Sequence, residues 1–265
     1  MYAASRPKRA AAAAGIILAG SSNVAEKVHA LYNRDAIVLC EVSAPDLESR
    51  PATRRRPEEP LHIVWSGFCE SRKALNIVLL ALGQLKESSV DWRLTAVGNG
   101  PLLGSWKLLA RRLGINERCN FTGRVVRAEV FSVMASAHCL VQPSLYDATS
   151  TVVAEALAHG LPVLCLDHFG FRDAVNSACG VKIPPNQLDQ VIADFAAAIK
   201  AIGLDEDRRY QMAIAARQAA QRLTWKHKSE IIEDVYSRVI LSSELPKFRG
   251  ENRQGREEDE FTFRR

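Results

Sequence analysis

Residues 139–166, CLVQPSLYDATSTVVAEALAHGLPVLCL, are the stretch that decides the fold. Its two ends, 139–142 and 163–166, are short apolar runs with the length and composition of buried strands. The residues after Ser150 are mostly apolar helix formers, and a glycine and a proline precede the second run. A strand, a helix and a second strand in this order predict a parallel βαβ unit.

The same alternation continues on both sides of this unit. Short apolar runs bounded by turn residues alternate with stretches in which apolar residues recur at every third and fourth position. The further runs lie at 63–66, 94–98, 119–121 and 181–183, and the helical stretches at 75–85, 130–134 and 188–202. The sequence therefore predicts an α/β fold at residues 61–204, a Rossmann-like parallel sheet with helices on both faces.

The rest of the chain divides by composition. Residues 15–48 predict one strand, helix, strand unit, with its helix at 22–32, which cannot bury its own faces and suggests the remnant of an N-terminal domain. The segment 49–60 has three prolines, four arginines and no periodicity, as expected of a linker. We also expect a flexible basic tail at 1–14, C-terminal helices at 205–245 and a disordered tail at 246–265.

Composition excludes several classes of protein. The formal net charge of +5 over 265 residues is too small and too scattered to require a nucleic acid, and no apolar run approaches the roughly 18 residues of a membrane span. Six cysteines without metal-ligand spacing predict reduced thiols and a cytoplasmic protein, with peripheral association at the inner membrane face left open. Export directed by the N-terminus is the less favoured alternative.

Two loops that leave predicted strands could carry chemistry. Gly67 is followed by Arg72 and Lys73 at an expected helix start, where an anion such as phosphate would offset the positive charges. A solvated charged turn is the alternative. Gly98-Asn99-Gly100 lets a backbone approach a ligand closely, although a tight turn without a ligand explains it equally well.

Two acids mark the loop and helix after residue 142. Asp147 leaves a strand, Thr149 or Ser150 can cap the helix, and Glu155 lies within it among apolar neighbours. Eight residues span about 12 Å of helix, and the free amides of the helix start lie between the two acids. This layout suits a ligand with hydroxyls at both ends and phosphates between them, as in a nucleotide sugar. The alternative is a capping Asp and a buried Glu paired with a core cation.

These motifs together resemble the retaining glycosyltransferases of family 4, whose GT-B fold has two facing Rossmann-like domains. The resemblance runs from about residue 15 to 240 and mainly covers the C-terminal, donor-binding domain. It is carried by Gly67 with Arg72-Lys73, VGNGP at 97–101, FTG at 121–123, Pro143-Ser144, the two acids with ALAHGLPV at 156–163, and Trp225.

The resemblance implies a role for each motif. Arg72 and Lys73 would neutralise the donor pyrophosphate, Asp147 would hold the transferred sugar, and Glu155 would hold the ribose hydroxyls. The glycines of the two loops would let their backbone approach the donor. The further expected donor contacts are the amides of Ser150, Thr151 and Val152, and the turn Arg124-Val125 at the base.

The expected partners are a nucleoside-diphosphate sugar and a saccharide or lipid-linked acceptor, in bacterial polysaccharide assembly. No metal and no cofactor are expected. The run Asp205-Glu206-Asp207 imitates a metal motif, but a helix start after the sheet explains it.

The sequence departs from the family pattern at three positions and in length. Asp147 stands where Glu is usual, Phe68 where many members have Arg, and Ala74 where Gly is expected. An acceptor domain of about 150 to 200 residues, an ordinary domain size, would precede the donor domain. We therefore expect a donor half that needs an acceptor-domain partner. A non-catalytic nucleotide-sugar-binding subunit is one alternative; a dinucleotide-dependent oxidoreductase is less favoured, because the Gly67 loop lacks Gly-x-Gly-x-x-Gly.

Overall fold

Strands and helices alternate through most of the chain. A computed structural model describes residues 5–46, 52–147 and 149–241. The strands are β1 (Leu18–Ala19), β2 (Ile37–Val38), β3 (Leu61–Ser66), β4 (Trp92–Val97), β5 (Cys119–Gly123), β6 (Cys139–Gln142), β7 (Val163–Leu166) and β8 (Gly180–Ile183). The helices are α1 (Ser5–Ala13), α2 (Ser22–Tyr32), α3 (Leu75–Gln84), α4 (Leu103–Arg112), α5 (Arg127–Ser136), α6 (Thr151–Ala158), α7 (Phe169–Ala174), α8 (Leu188–Leu204), α9 (Glu206–Gln221) and α10 (Trp225–Leu241).

Six strands form one parallel sheet in the order β5-β4-β3-β6-β7-β8. Every residue of β3, β6 and β7 is buried, because helices cover both faces of the sheet. The predicted α/β fold class is confirmed. No helix in the described ranges is long and apolar enough to cross a membrane.

Two apolar layers hold the helices to the sheet. On one face α3, α4 and α8 pack through a cluster that includes Leu79, Trp92 and Phe195. On the other face α5, α6, α7 and α9 pack through a second cluster that includes Val64 and Leu157. All six cysteines are free, as predicted, and burial raises the pKa of Cys119 and Cys139 to about 12.

The strand order places a topological switch point between β3 and β6. From β3 the chain goes to β4 on one side, and after β5 it crosses to β6 on the other side. The loops that leave β3 and β6 therefore diverge and open a crevice at the carboxyl ends of the strands. In open α/β sheets this is the usual place for a ligand.

The N-terminal unit lies outside the six-stranded sheet. Strands β1 and β2 pair in parallel with each other, and α2 has the bounds predicted from the sequence. The unit is attached to α7, where the Ser22 amide donates to Asp173 Oδ2 over 2.8 Å, and to α10, where the Lys228 amine contacts the Val42 carbonyl.

The structure differs from the sequence-based expectation at the N-terminus. Residues 1–14 were expected to be a flexible tail, but helix α1 occupies Ser5–Ala13. Alanine has the highest helix propensity, and the Arg34 guanidinium donates to the Ala11 and Ala14 carbonyls over 2.8 and 2.7 Å at the end of this helix.

The described part of the expected linker, 52–60, has no helix or strand. Its Arg55 guanidinium donates to the Gly203 carbonyl over 2.8 Å, which ties it to the end of α8. The expected disordered tail at 246–265 lies outside the described residues.

Candidate functional site

An ion pair joins the two loops at the switch point. Lys73, which follows β3, is 9% exposed, and its ammonium contacts the Asp147 carboxylate, which follows β6. Both side chains are largely withdrawn from solvent, so each charge depends on the other for its stabilisation. Lys73 and Asp147 were predicted as site residues from two separate loops, and the fold brings them into contact.

The two cations do not begin a helix, which corrects the expectation for this loop. Ser71–Lys73 form a short 3-10 turn, and Ala74, with a φ of 46°, separates that turn from α3. The positive charges therefore face Asp147 instead of opposing the dipole of α3. A carboxylate of the chain itself supplies the negative charge that the sequence pattern required.

Arg72 adds a second cation beside Asp147. Its guanidinium lies 3.6 Å from Asp147 Oδ1 and donates to the Tyr146 carbonyl over 3.2 Å, while Nε lies 2.7 Å from Glu70 Oε1. The group is partly exposed, unlike Lys73. Two cations and two acids thus line the crevice, and one guanidinium remains accessible from solvent.

The loop after β4 needs glycine because its backbone lies against the backbone of the loop after β3. A Cβ on Gly98, at φ 140°, would lie 1.8 Å from the Gly67 carbonyl oxygen, and one on Gly100 would lie 2.7 Å from the Cys69 amide nitrogen. The Asn99 carbonyl accepts from that amide over 2.9 Å. The tight-turn alternative therefore accounts for these glycines without a ligand.

The start of α6 lies beside this cluster in the chain. Ser150 is the N-cap residue but forms no side-chain cap hydrogen bond, and the Thr149 hydroxyl donates to Glu41 Oε1 over 2.9 Å instead. Thr151 and Val152 begin the helix. A helix start without a side-chain cap is suited to an anion, because its first amides point outward and carry positive partial charge.

Glu155 is a buried acid in the middle of α6. It is 7% exposed, and its Oε1 lies 2.9 Å from Nη2 of Arg127, at the start of α5. Burial raises the pKa of Glu155, and Arg127 offsets part of this rise. The acid does have a cation partner, as the alternative explanation required, but that partner is an exposed arginine and not a core cation.

The turn after β5 completes the row of carboxyl-end loops. Arg124 is exposed, and Val125 is partly buried against the second apolar cluster. The Gly123 carbonyl accepts from the Gly98 amide over 2.9 Å, so this turn lies directly beside the Gly98 loop.

Three residues that contact candidate site residues or their neighbours were not predicted from the sequence. Arg127 is 28 positions from Glu155, and no local spacing links the two. Tyr146 is exposed and packs edge-to-face on Phe169, with ring centroids 4.9 Å apart. Phe169 has a φ of 47°, a strained conformation of the kind that concentrates at functional sites. Only the position of Phe169, three residues after the end of β7, could have drawn attention to it.

The acidic run at 205–207 is a helix start, as expected. The Asp205 side chain accepts from the Arg208 amide over 2.9 Å and caps α9, and Glu206 pairs with Arg209 at 2.6 Å. Within the ranges that the structure describes, no group of three or more acids, histidines and cysteines could hold a metal ion.

Comparison with known proteins gives a family match. The model of the group 1 glycosyl transferases matches residues 47–219. Glycogen synthase of Mycobacterium tuberculosis is 28% identical over 196 residues, which are 73% of this chain and 45% of that protein. D-inositol 3-phosphate glycosyltransferase of Nocardia farcinica is 27% identical over 251 residues, 88% of this chain and 54% of that protein.

Solved structures share the fold. The crystal structure of Anabaena Alr3699/HepE in complex with UDP superposes with a TM-score of 0.70 at 18% identity, over 85% of this chain and 64% of that one. The lipopolysaccharide outer core galactosyltransferase WaaB gives a TM-score of 0.69 at 17% identity, over 85% and 62% of the two chains. The predicted fold, one Rossmann-like half of a GT-B protein, is confirmed.

The chain spans about half the length of the curated relatives it matches. The matched region contains every carboxyl-end loop described above, from Gly67 to Phe169. On the extent of the family match, this chain belongs to the group 1 glycosyl transferases.

Proposed function

We propose that this chain binds a nucleoside-diphosphate sugar and provides the donor half of a retaining, family 4 glycosyltransferase. The observation that carries the proposal is the cluster of Lys73, Arg72 and Asp147 in the switch-point crevice. A diphosphate can take the place of Asp147 as partner of the two cations, because its oxygens form the same charge-assisted hydrogen bonds.

Each loop then has one task. Lys73 and Arg72 bind the diphosphate together with the amides at the start of α6, at Ser150, Thr151 and Val152. Asp147, released from Lys73, accepts hydrogen bonds from hydroxyls of the transferred sugar. Glu155 holds the ribose, and the turn Arg124-Val125 meets the base.

The reaction is sugar transfer with the diphosphate as leaving group. The bond between the anomeric carbon and the diphosphate oxygen breaks, and the electron pair stays on the diphosphate. Fixed positive charges near that oxygen lower the barrier, because they are already in place when the negative charge develops. We propose that Lys73 and the α6 start supply this charge and that no divalent metal takes part.

The acceptor is proposed to be a saccharide or a lipid-linked saccharide in bacterial polysaccharide assembly. The names of the relatives support this class, since they include a glycogen synthase and a glycosyltransferase of lipopolysaccharide biosynthesis, WaaG. Positioning of the acceptor is assigned to a facing, acceptor-binding domain. A non-catalytic nucleotide-sugar-binding subunit is the second candidate, because the described ion pairs assign residues to the donor and none to an acceptor.

A thermal-shift screen tests the donor proposal. UDP, ADP and GDP, and the glucose or mannose conjugate of each, are added to the chain with and without EDTA. At least one nucleotide should raise the melting temperature at saturating concentration, because it binds only the folded state, and EDTA should not change the shift. No shift with any of these compounds would contradict the proposal.

A further inference from the structure

Arg127 is the one cation in contact with Glu155 among the residues that the structure describes, and none of the donor contacts proposed above involves it. It begins α5, 28 residues before the acid, and its side chain is about two-thirds exposed. Its Nη2 donates to Glu155 Oε1 over 2.9 Å. An exposed arginine thus makes a directed contact with a largely buried carboxylate.

Neighbouring side chains hold both Arg127 and Glu155 in this contact. The Arg127 guanidinium lies 5.0 Å from the centre of the Phe131 ring, one helical turn further along α5. Phe131 packs edge-to-face on His159 with ring centroids 5.0 Å apart, and His159 Nδ1 lies 2.7 Å from the Glu155 carbonyl oxygen. Contacts among four residues, one of them to the Glu155 backbone carbonyl, therefore link α5 to α6 in a closed circuit, which restricts where the guanidinium can lie.

Only one carboxylate oxygen of Glu155, Oε1, takes part in these contacts. Oε2 makes no hydrogen bond to any residue in 5–46, 52–147 or 149–241. An ionised carboxylate has about four lone-pair positions, so a carboxylate fixed at Oε1 can still accept from ribose hydroxyls.

We propose that Arg127 is a positioning residue for the ribose of the donor: it holds Glu155 ionised and oriented through Oε1 and leaves Oε2 to accept the ribose hydroxyls. This inference rests on the proposed function. Burial raises the pKa of Glu155 and Arg127 acts against that rise, which agrees with a role of Arg127 in keeping the carboxylate ionised. The opposite role is a latch, in which Arg127 competes with the ribose for the acid.

Paired ribonucleotides and 2′-deoxyribonucleotides separate these roles. Calorimetry with UDP and 2′-deoxyUDP, and with the matching ADP and GDP pairs, gives the ribose preference of the unmodified chain and its variants. The unmodified chain should prefer the ribonucleotide by about tenfold or more, as expected for a charge-assisted hydrogen bond. Arg127→Gln should reduce this preference at least about fivefold and leave deoxynucleotide affinity within about twofold, and Arg127→Lys should restore part of it.

Two further variants test whether the effect is specific to the contact between Arg127 and Glu155. Arg111→Gln removes an exposed arginine on α4 and should leave the preference unchanged. Phe131→Leu removes the ring beneath the guanidinium and should lower the preference, which provides a second test if Arg127→Gln does not fold. Melting temperatures of all variants are compared.

Each outcome decides something. An unchanged or larger preference in Arg127→Gln overturns this inference while the donor proposal stands. No ribose preference in the unmodified chain overturns this inference and the ribose role of Glu155, while the proposed binding of the diphosphate by Lys73 and Arg72 stands. Binding of none of the nucleotides overturns the donor proposal and this inference with it.

Discussion

Ala74 occupies a backbone conformation that favours glycine. Its φ of 46° is needed to end the 3-10 turn of Lys73 and start α3 in a new direction. A left-handed alanine costs about 1–2 kcal/mol, while its buried methyl group contributes about 0.8 kcal/mol. The departure from the family pattern at this position therefore has an energetic cost that its packing offsets in part.

This balance predicts that Ala74→Gly is nearly neutral. The lost methyl contact and the added freedom of the unfolded chain oppose the relief of strain, so the free energy of unfolding should change by about 1 kcal/mol or less. Ala81→Gly, at a buried position within α3, should cost about 2 kcal/mol. Urea unfolding measures both. Equal losses in the two variants would show that Ala74 is not strained.

The raised pKa of Glu155 predicts that the stability of the protein depends on pH. Because its pKa is raised in the folded state, the folded protein binds a proton more readily than the unfolded chain does, and stability falls as pH rises from the ordinary glutamate pKa of 4.5 through the folded pKa. Glu155→Gln removes this loss. Its melting temperature should exceed that of the unmodified chain at pH 8, with a smaller difference at pH 5. A difference that grows toward acid would mean that ionised Glu155 stabilises the fold.

Site residues that stand out from their neighbours in the sequence could be predicted, but the residues with which they form ion pairs could not. Lys73, Asp147 and Glu155 stood out because each is a charge at a strand end or in an apolar stretch. Their pairing depends on the switch-point strand order, and the Arg127 contact depends on the path of α5 across the sheet. Single-sequence patterns encode neither.

At the scale of elements, apolar runs predicted the sheet well. The bounds of β6 and β7 agree with the sequence, because a fully buried strand is apolar from end to end. Helix α1 was missed because the hydrogen bonds at its end come from Arg34, which lies outside the segment. The turn Ser71–Lys73 was read as part of a helix because Ala74 gives no sign of its left-handed backbone.

The docking of α2 on α7 gives a prediction for the N-terminal unit. Asp173 accepts from the Ser22 amide and contacts the Ser22 hydroxyl, so it acts as a cap for α2 supplied by another helix. Asp173→Ala should raise amide exchange rates in α2 by about threefold to tenfold and leave β3 and β6 unchanged. Asp189→Ala, an exposed first-turn acid of α8, serves as the control. Unchanged exchange in α2 would show that the contact contributes nothing to docking.

At the scale of the whole molecule, the residues proposed to contact the donor lie in one part of the chain. Every residue assigned to the donor lies between Gly67 and Glu155. Acceptor positioning, which can supply several kcal/mol of barrier lowering, needs a facing surface larger than the short N-terminal unit. We expect the 265-residue chain alone to bind a nucleotide sugar and to transfer it poorly, and efficient transfer without a partner would contradict this division.

Calorimetric titration of the best-binding nucleoside diphosphate tests the central claim, that phosphate recognition is centred on Lys73. Lys73→Ala should weaken binding by about 1.5–3 kcal/mol, the value of a charge-assisted hydrogen bond, and Lys107→Ala, an exposed lysine on α4, should leave it unchanged. The affinity of the unmodified chain should be the same in EDTA. Equal affinity in Lys73→Ala and the unmodified chain, or binding abolished by EDTA, would contradict the account.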